Sequence, residues 1–343
     1  MRQAGRNIVP QVMVPATLDA GTPPLHSVVQ RVGGASMGTS WSMKAAMQPG
    51  GLAALAPALQ AVLDAVVAQM SHWDDDSCLG RFNRAPAGSW HALPEPFFSV
   101  LDYALAVRED SGGAYDPCAG ALVNLWGFGP SRRYDQPQFQ APPPADVAAC
   151  LRLHSEIILD RVNQRAWQPG GVQLDLSSVA KGFAVDQLAR CMDSHGVHHY
   201  LAELGGELRG AGMRPDHAPW WVQLEGVPDA ANAQDAAPTV VALHGMAVAT
   251  SGDYRRQFSY AGGRASHTLD PRSGYPIANR IASVTVLHRH CMSADALSTA
   301  LTVLGVADGL RFANARQLAA RFLVRGAHSL EEHQSDAWRA LLQ

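Results

Sequence analysis

Between residues 200 and 288 the chain reads as seven short strands in succession, at 200–204, 220–225, 239–244, 246–250, 257–260, 266–269 and 283–288. Each is rich in Val, Ala, Thr or aromatic residues and is bounded by Gly, Pro, Asn or Asp. A run of strands without alternating helices disfavours a doubly wound parallel sheet. It predicts an α+β fold with largely antiparallel sheets and packed helices. Ala- and Leu-rich periodic stretches predict helices at 52–70, 96–110, 178–195, 294–304 and 307–314, and a further strand is expected at 320–324. Strands at 28–32 and 39–43 flank a glycine-containing bend at 33–38, and a hairpin spans 154–160 and 164–168. Residues 112–134 carry Tyr115, Trp126 and Phe128 among glycines, as an ordered loop would, and lead into a Pro-rich loop at 136–144. Residues 1–26 are aperiodic and are expected to be a flexible leader. The rest, 27–343, reads as one domain or two intimate subdomains.

Composition removes several function classes. The formal net charge is -3 with no Lys/Arg run, which argues against nucleic acid as a partner. Five cysteines lie scattered without a CxxC spacing, so neither a zinc framework nor a disulfide scaffold is indicated. No apolar run comes near the roughly 20 residues that span a bilayer, so no transmembrane segment is expected. The leader lacks an apolar signal core and a lipidation cysteine. It therefore reads as cytoplasmic as written, or periplasmic if the N-terminus has been trimmed. No dinucleotide or P-loop glycine motif is present.

Five segments have the look of site loops. Ser293 is a natural N-cap for a helix that runs to Gly305, and Asp295 and Thr299 then fall one turn apart on one face. Two such oxygens suit a hard cation such as Mg²⁺; a helix-dipole Asp and a back-bonding Thr would look the same. In 175–186 a strand ends at Ser177 and Ser178 before a helix start with Lys181 and Gly182, a place for phosphate oxygens or simply a capped helix. Glu203-Leu-Gly-Gly-Glu207 ends a strand in glycines that admit a ligand to the backbone or merely make a turn. Thr250, Ser251 and Gly252 offer hydroxyls and amides to an anion, as an ordinary turn also would. His267 precedes the turn Asp270-Pro271, where a base, a hydrogen-bond donor or a structural histidine would each fit.

Taken together these segments fall in a distinctive order. Met37-Gly38-Thr39, the block from Gly113-Ala-Tyr-Asp-Pro117 to Leu122-Val-Asn-Leu-Trp-Gly-Phe-Gly129, 175–186, Leu204-Gly-Gly-Glu207, Thr250-Ser-Gly-Asp-Tyr254, 267–276 and Ala294-Asp-Ala-Leu-Ser-Thr-Ala-Leu301 follow one another as in the ApbE-type FAD:protein FMN transferases. The chain resembles that family from about residue 28 to 324. The resemblance implies a T-fold-like architecture. It also implies an enzyme that binds FAD with Mg²⁺, moves the FMN half to a Thr or Ser hydroxyl of another protein, and releases AMP. It further implies Asp295, Thr299 and the Ala180 carbonyl as Mg²⁺ ligands, and Met37 and the Asn83 region as flavin-ring contacts. Ser177, Lys181, Glu203, Thr250 and His267 would lie around FAD, with His267 as a candidate general base and Asp270 on the turn beneath it. A metal-dependent FAD pyrophosphatase would need the same site with water as acceptor, and a non-catalytic FAD-binding protein would need no metal. The chain carries no acceptor motif of the kind [DE]-x-x-[ST]-[GA]-x-T, so the acceptor protein is expected to be a separate chain.

Overall fold

The computed structural model describes residues 11–14, 21–131, 133–153, 156–227, 238–253, 257–260, 263–326 and 329–342. Its spine is an eight-stranded sheet in the order Leu330–Gln334, Ala319–Arg325, Ile281–His288, Met246–Gly252, Glu207–Ala211, Tyr200–Leu204, Thr39–Met47 and Val28–Ser36. Every neighbouring pair in it is antiparallel. The helices Gly51–Met70, Ala180–Ser194 and Cys291–Ala315 pack on this sheet, and their apolar residues merge with Trp41, Met43 and Ala202 into the largest core. The expected α+β architecture is what the chain adopts.

Within the glycine-containing segment 33–38 the chain turns only at its last two residues. Met37 (φ 50°) and Gly38 (φ 72°) form a two-residue turn with both φ positive, so strand pairing continues unbroken to Ser36 and resumes at Thr39. Gly33 and Gly34 serve the neighbouring strand instead. A Cβ on Gly33 would lie 2.6 Å from the Trp41 carbonyl, and one on Gly34 would lie 2.9 Å from the Trp41 indole nitrogen. That indole donates to Gln60 Oε1 at 2.9 Å and so ties the strand to the helix Gly51–Met70.

A second correction concerns the helix at Asp295. Its first residue is Cys291, and Ser293 lies buried inside the first turn rather than capping it. The cap is tertiary: the Asp186 carboxylate accepts the Cys291 and Met292 amides, both at 3.0 Å, from the neighbouring helix. A carboxylate there also complements the positive end of the helix dipole, which is why it outcompetes the local serine. Gly305 (φ 80°) interrupts the helix, and helical structure then resumes. The two helices expected on either side of it are both present.

The leader is not aperiodic throughout. Gln11–Met13 pairs in parallel with Thr239–Leu243, and Met13 is buried beside Trp220, Leu243 and Trp338. The remaining leader residues 1–10 and 15–20, residues 154 and 155 of the expected hairpin, and Tyr254 lie outside the described residues. Short elements absent from the sequence reading are the strands Ser89–Ala92, Glu207–Ala211, Gly263–Ser266, Tyr275–Pro276 and Leu330–Gln334 and the helices Cys78–Asn83, Gly120–Leu125, Pro144–Arg152 and Asp336–Leu341. The strand expected at 266–269 breaks at 267–268, because Gly263–Ser266 pairs with Gln257–Tyr260 and Leu269–Asp270 with Tyr275–Pro276. The segment expected to end as a strand at Ser177 and Ser178 is turn instead. Among the described residues, Gly51–Met70 and Cys291–Ala315 are each long and apolar enough to span a bilayer, against the expectation that none would be. The first buries one helical stripe, Leu52, Leu59, Leu63, Val66 and Met70, and the second packs on the strands Met246–Gly252 and Ile281–His288.

Candidate active site

The site is built where the helix starting at Ala180 meets the helix starting at Cys291. Gly182 allows the contact: a Cβ there would sit 2.3 Å from the Cys291 carbonyl oxygen and 2.8 Å from the Asp295 Cβ. The Gly182 amide, one of the donors a helix start leaves over, donates to Asp295 Oδ2 at 2.9 Å. Asp295 is 4% exposed. Burial raises its carboxyl above the usual range, and the Lys181 charge and the Gly182 hydrogen bond oppose that rise.

Thr299 lies one turn further along the same helix, as its spacing requires. Its hydroxyl meets Ser251 Oγ at 3.0 Å, and Ser251 also meets Ser298 Oγ at 2.8 Å. Strand alternation decides which residue of Thr250 and Ser251 does this. Thr250 turns to the opposite face of the sheet and bonds Thr285 Oγ1 at 2.9 Å, so Ser251, not Thr250, reaches the Thr299 hydroxyl.

Lys181 forms an ion pair with Glu207, whose side chain is 3% exposed. Burial raises the Glu207 carboxyl, Lys181 opposes the shift and the Asp295 charge adds to it. The other Glu207 oxygen, Oε2, has no hydrogen-bond partner although it is buried. Glu203, two strand positions before the glycine turn, accepts from Ser42 Oγ at 3.1 Å and from the Gly206 amide at 3.2 Å, and so fixes that turn. Ser251 is one of the hydroxyls expected to face an anion, but its contact with Thr299 is not legible in the sequence, and Glu207 appears there only as the end of the 203–207 segment.

Most of the amides at the helix start around Lys181 are already used. Ser177 N donates to Asp175 Oδ1, Val179 N and Ala180 N to the Leu176 carbonyl, and Gly182 N to Asp295. The Ser177 side chain is exposed at this end, and the Lys181 side chain, paired with Glu207, is 30% exposed. Asp175 also faces His72 Nδ1 at 3.4 Å. Tyr115 is buried alongside, its hydroxyl toward Ser178 without a hydrogen bond. Burial, with the charges of Asp295 and Asp175 adding to it, pushes its phenol up.

Met37 occupies the positive-φ turn and packs against the main core. Asn83 ties two segments together: its Nδ2 donates to the Leu174 carbonyl at 2.9 Å and its Oδ1 accepts the Leu174 amide at 2.7 Å. Both amide atoms are thus engaged by backbone. His267 packs edge-on against Phe128, with ring centroids 6.2 Å apart. The two blocks that carry these rings dock together through Trp126, whose indole donates to the Gly274 carbonyl at 2.8 Å. The Asp270 carboxylate is engaged by Arg272, at 2.9 Å from Nε and 2.8 Å from Nη2. Burial works against ionisation there, but these hydrogen bonds outweigh it and hold the carboxyl below its usual range. Asp270 thereby rigidifies the turn after His267.

Lys181 and Gly182, Glu207, Ser251, and Asp295 with Thr299 therefore meet at one junction, whereas Met37, Asn83, His267 and Asp270 are held by contacts of their own. The chain is 34% identical over 312 residues to the FAD:protein FMN transferase of Vibrio cholerae, covering 90% of this chain and 91% of that protein. It is 35% identical over 320 residues to the protein of that name from Haemophilus influenzae, covering 90% of each. Among solved structures, the apo form of Pseudomonas stutzeri flavinyl transferase ApbE superposes with a TM-score of 0.83 at 35% identity, covering 92% of this chain and 97% of that one. The Vibrio cholerae flavin transferase ApbE gives the same TM-score at 32% identity, covering 92% and 100%. The ApbE family model matches residues 37–322, and the chain belongs to the ApbE family.

Proposed function

We propose that this chain is an FAD:protein FMN transferase that cleaves the pyrophosphate of FAD and joins the FMN half to a Thr or Ser hydroxyl of a separate acceptor protein. The hydroxyl oxygen bonds to the FMN phosphorus as the bridging P–O bond breaks, and AMP leaves with the bridging oxygen. The supporting observation is the junction itself, where Lys181, Glu207, Ser251, Asp295 and Thr299 converge from four segments.

The oxygens there fit a hard divalent cation. Asp295 commits one carboxylate oxygen to Gly182, and Thr299 presents its hydroxyl one turn away. A buried carboxyl raised by desolvation would be held ionised by such a charge. Asp295, Thr299 and the Ala180 carbonyl would hold Mg²⁺, which when bound neutralises pyrophosphate oxygens. The protein's own residues do the rest. Lys181 supplies a positive charge to the phosphates, held in place by Glu207. The Ser177 hydroxyl, exposed beside it, donates to a phosphate oxygen. The glycine turn fixed by Glu203 and the side chain of Met37 form the wall against which the flavin lies, with Thr250 bracing the strand behind Ser251. His267 takes the acceptor's hydroxyl proton, a role worth about 10²–10⁴ in rate.

The test is to incubate the protein with FAD, Mg²⁺ and a domain bearing Asp-x-x-Thr-Gly-x-Thr, and to measure the domain's mass and AMP release. The domain gains the mass of FMN. Asp295→Asn keeps an oxygen for the Gly182 amide but loses the charge, and turnover drops about 10²–10³-fold. Metal-dependent AMP and free FMN without a modified domain would show a hydrolase. Bound FAD with no metal-dependent turnover would show a flavin-binding protein.

A further inference from the structure

The eight-stranded sheet has two edges, and they are built differently. The outer strand Leu330–Gln334 is short and carries Glu331, Glu332 and His333, the charged pattern that discourages another strand from adding. The other outer strand, Val28–Ser36, is nine residues long, keeps its register without a bulge and contains no proline. Among the described residues no further strand pairs with it. Val28 and Val29 are 45% and 43% exposed, and Gly33, Gly34 and Ala35 are exposed as well.

The turn settles which backbone groups face outward. In a two-residue hairpin the closing residues, Ser36 and Thr39, exchange both hydrogen bonds, and the pattern alternates from there. The amides and carbonyls of Val29, Arg31, Gly33 and Ala35 therefore point away from the sheet. This open ladder ends at the site. Thr39, just past the turn, touches the position of a Gly205 Cβ at 2.9 Å, and the same position lies 3.5 Å from Glu207 Oε2. Gly205 N donates to the Ser40 carbonyl at 3.1 Å, and Glu207 pairs with Lys181. Charge adds a preference. Arg31 stands opposite Lys44 in the register, and neither has a carboxylate partner among the described residues. Two like charges at adjoining positions repel unless an acidic group joins them.

We infer that the strand Val28–Ser36 is the docking edge for the acceptor protein: an extended acceptor segment adds to it as a ninth strand. An acidic side chain of that segment lies near Arg31 and Lys44, and its hydroxyl-bearing end lies at the Met37–Gly38 turn. The inference rests on the transferase reading, since a transferase to protein must hold a polypeptide beside its phosphate site. Backbone pairing supplies affinity with little demand on sequence, and the small residues at the site end let the segment approach closely.

Two variants and one direct measurement test it. Ala35→Pro removes an outward amide and no ladder bond, and Arg31→Glu reverses the edge charge. Each is expected to raise the KM for the Asp-x-x-Thr-Gly-x-Thr domain at least tenfold, with FAD affinity changed less than twofold. Amide exchange of the wild-type protein should slow across residues 28–36 when the domain is added. If the wild type modifies the domain while both variants keep its KM and residues 28–36 gain no protection, the docking edge is wrong and the transferase stands. If the wild type leaves the domain unmodified, the transferase reading fails and the docking edge with it. Protection of 28–36 that rises with enzyme concentration alone would assign the edge to a second copy of the chain and overturn the inference.

Discussion

The junction of the helices Ala180–Ser194 and Cys291–Ala315 and the edge strand Val28–Ser36 border the same site but spend their polar groups in opposite ways. At the junction the helix starts are satisfied by side chains: Asp186 takes the Cys291 and Met292 amides and Arg209, and Asp295 takes the Gly182 amide. At the edge, half of the strand's backbone groups have no strand partner among the described residues. A buried polar network is costly to break because each orphaned group keeps its full desolvation penalty, whereas an exposed edge loses little when altered. On the proposed reading, the junction would hold the reacting geometry rigid while the edge stays available for a partner that comes and goes.

The largest effect that sharpens this contrast is expected from Asp186→Ala. It leaves two helix-start amides without partners and strands the Arg209 guanidinium, which lies 22% exposed. Removing one partner of a buried charged pair costs about 3–5 kcal/mol. Denaturant unfolding should show that loss, with turnover falling because Asp295 sits on the helix that Asp186 starts. Gly182→Ala comes next. Alanine improves helix propensity, but its Cβ would overlap the Cys291 carbonyl at 2.3 Å, so the helices must separate. Overpacking of this kind costs about 1–3 kcal/mol. A melt that rises rather than falls would break the claim that this contact is rigid.

The sequence carried most of the strands between 200 and 288, though not Glu207–Ala211 or the break at 267–268, as well as the helices around Gly305 and the one-turn pairing of Asp295 with Thr299, because these depend on period and local stops. It did not carry contacts made across the fold. Ser293 satisfied every local rule for an N-cap and lost to Asp186, which is 105 residues away from Cys291 in sequence. Thr250 and Ser251 are adjacent and chemically alike, and only strand register shows that Ser251 faces Thr299. Asn83 lay in a segment expected to face flavin, while its amide is engaged by the Leu174 backbone 91 residues on. Gly33 and Gly34 do allow the close approach their residue type suggests, but from within the strand rather than at the bend, and the Trp41 carbonyl and indole they meet lie on the next strand.

The smallest effect on stability belongs to the edge, and Gly38→Ala isolates it. Gly38 sits at φ 72° with open space around the position of a Cβ, so the substitution meets no neighbour. Its cost is conformational alone, about 1–2 kcal/mol for holding a side-chain-bearing residue in the left-handed region. The turn retains its register because Ser36 and Thr39 still close it. A rigid element would pass such strain into turnover, but an edge that receives a partner at Gly38, with Met37 held against the core, should pass it mainly into acceptor affinity. The expected result is a slightly lower melting temperature, unchanged FAD affinity and a modest rise in acceptor KM. An equal loss of FAD affinity would place the turn with the rigid junction, and the division between the two regions would then run along the strand Val28–Ser36 rather than at its end.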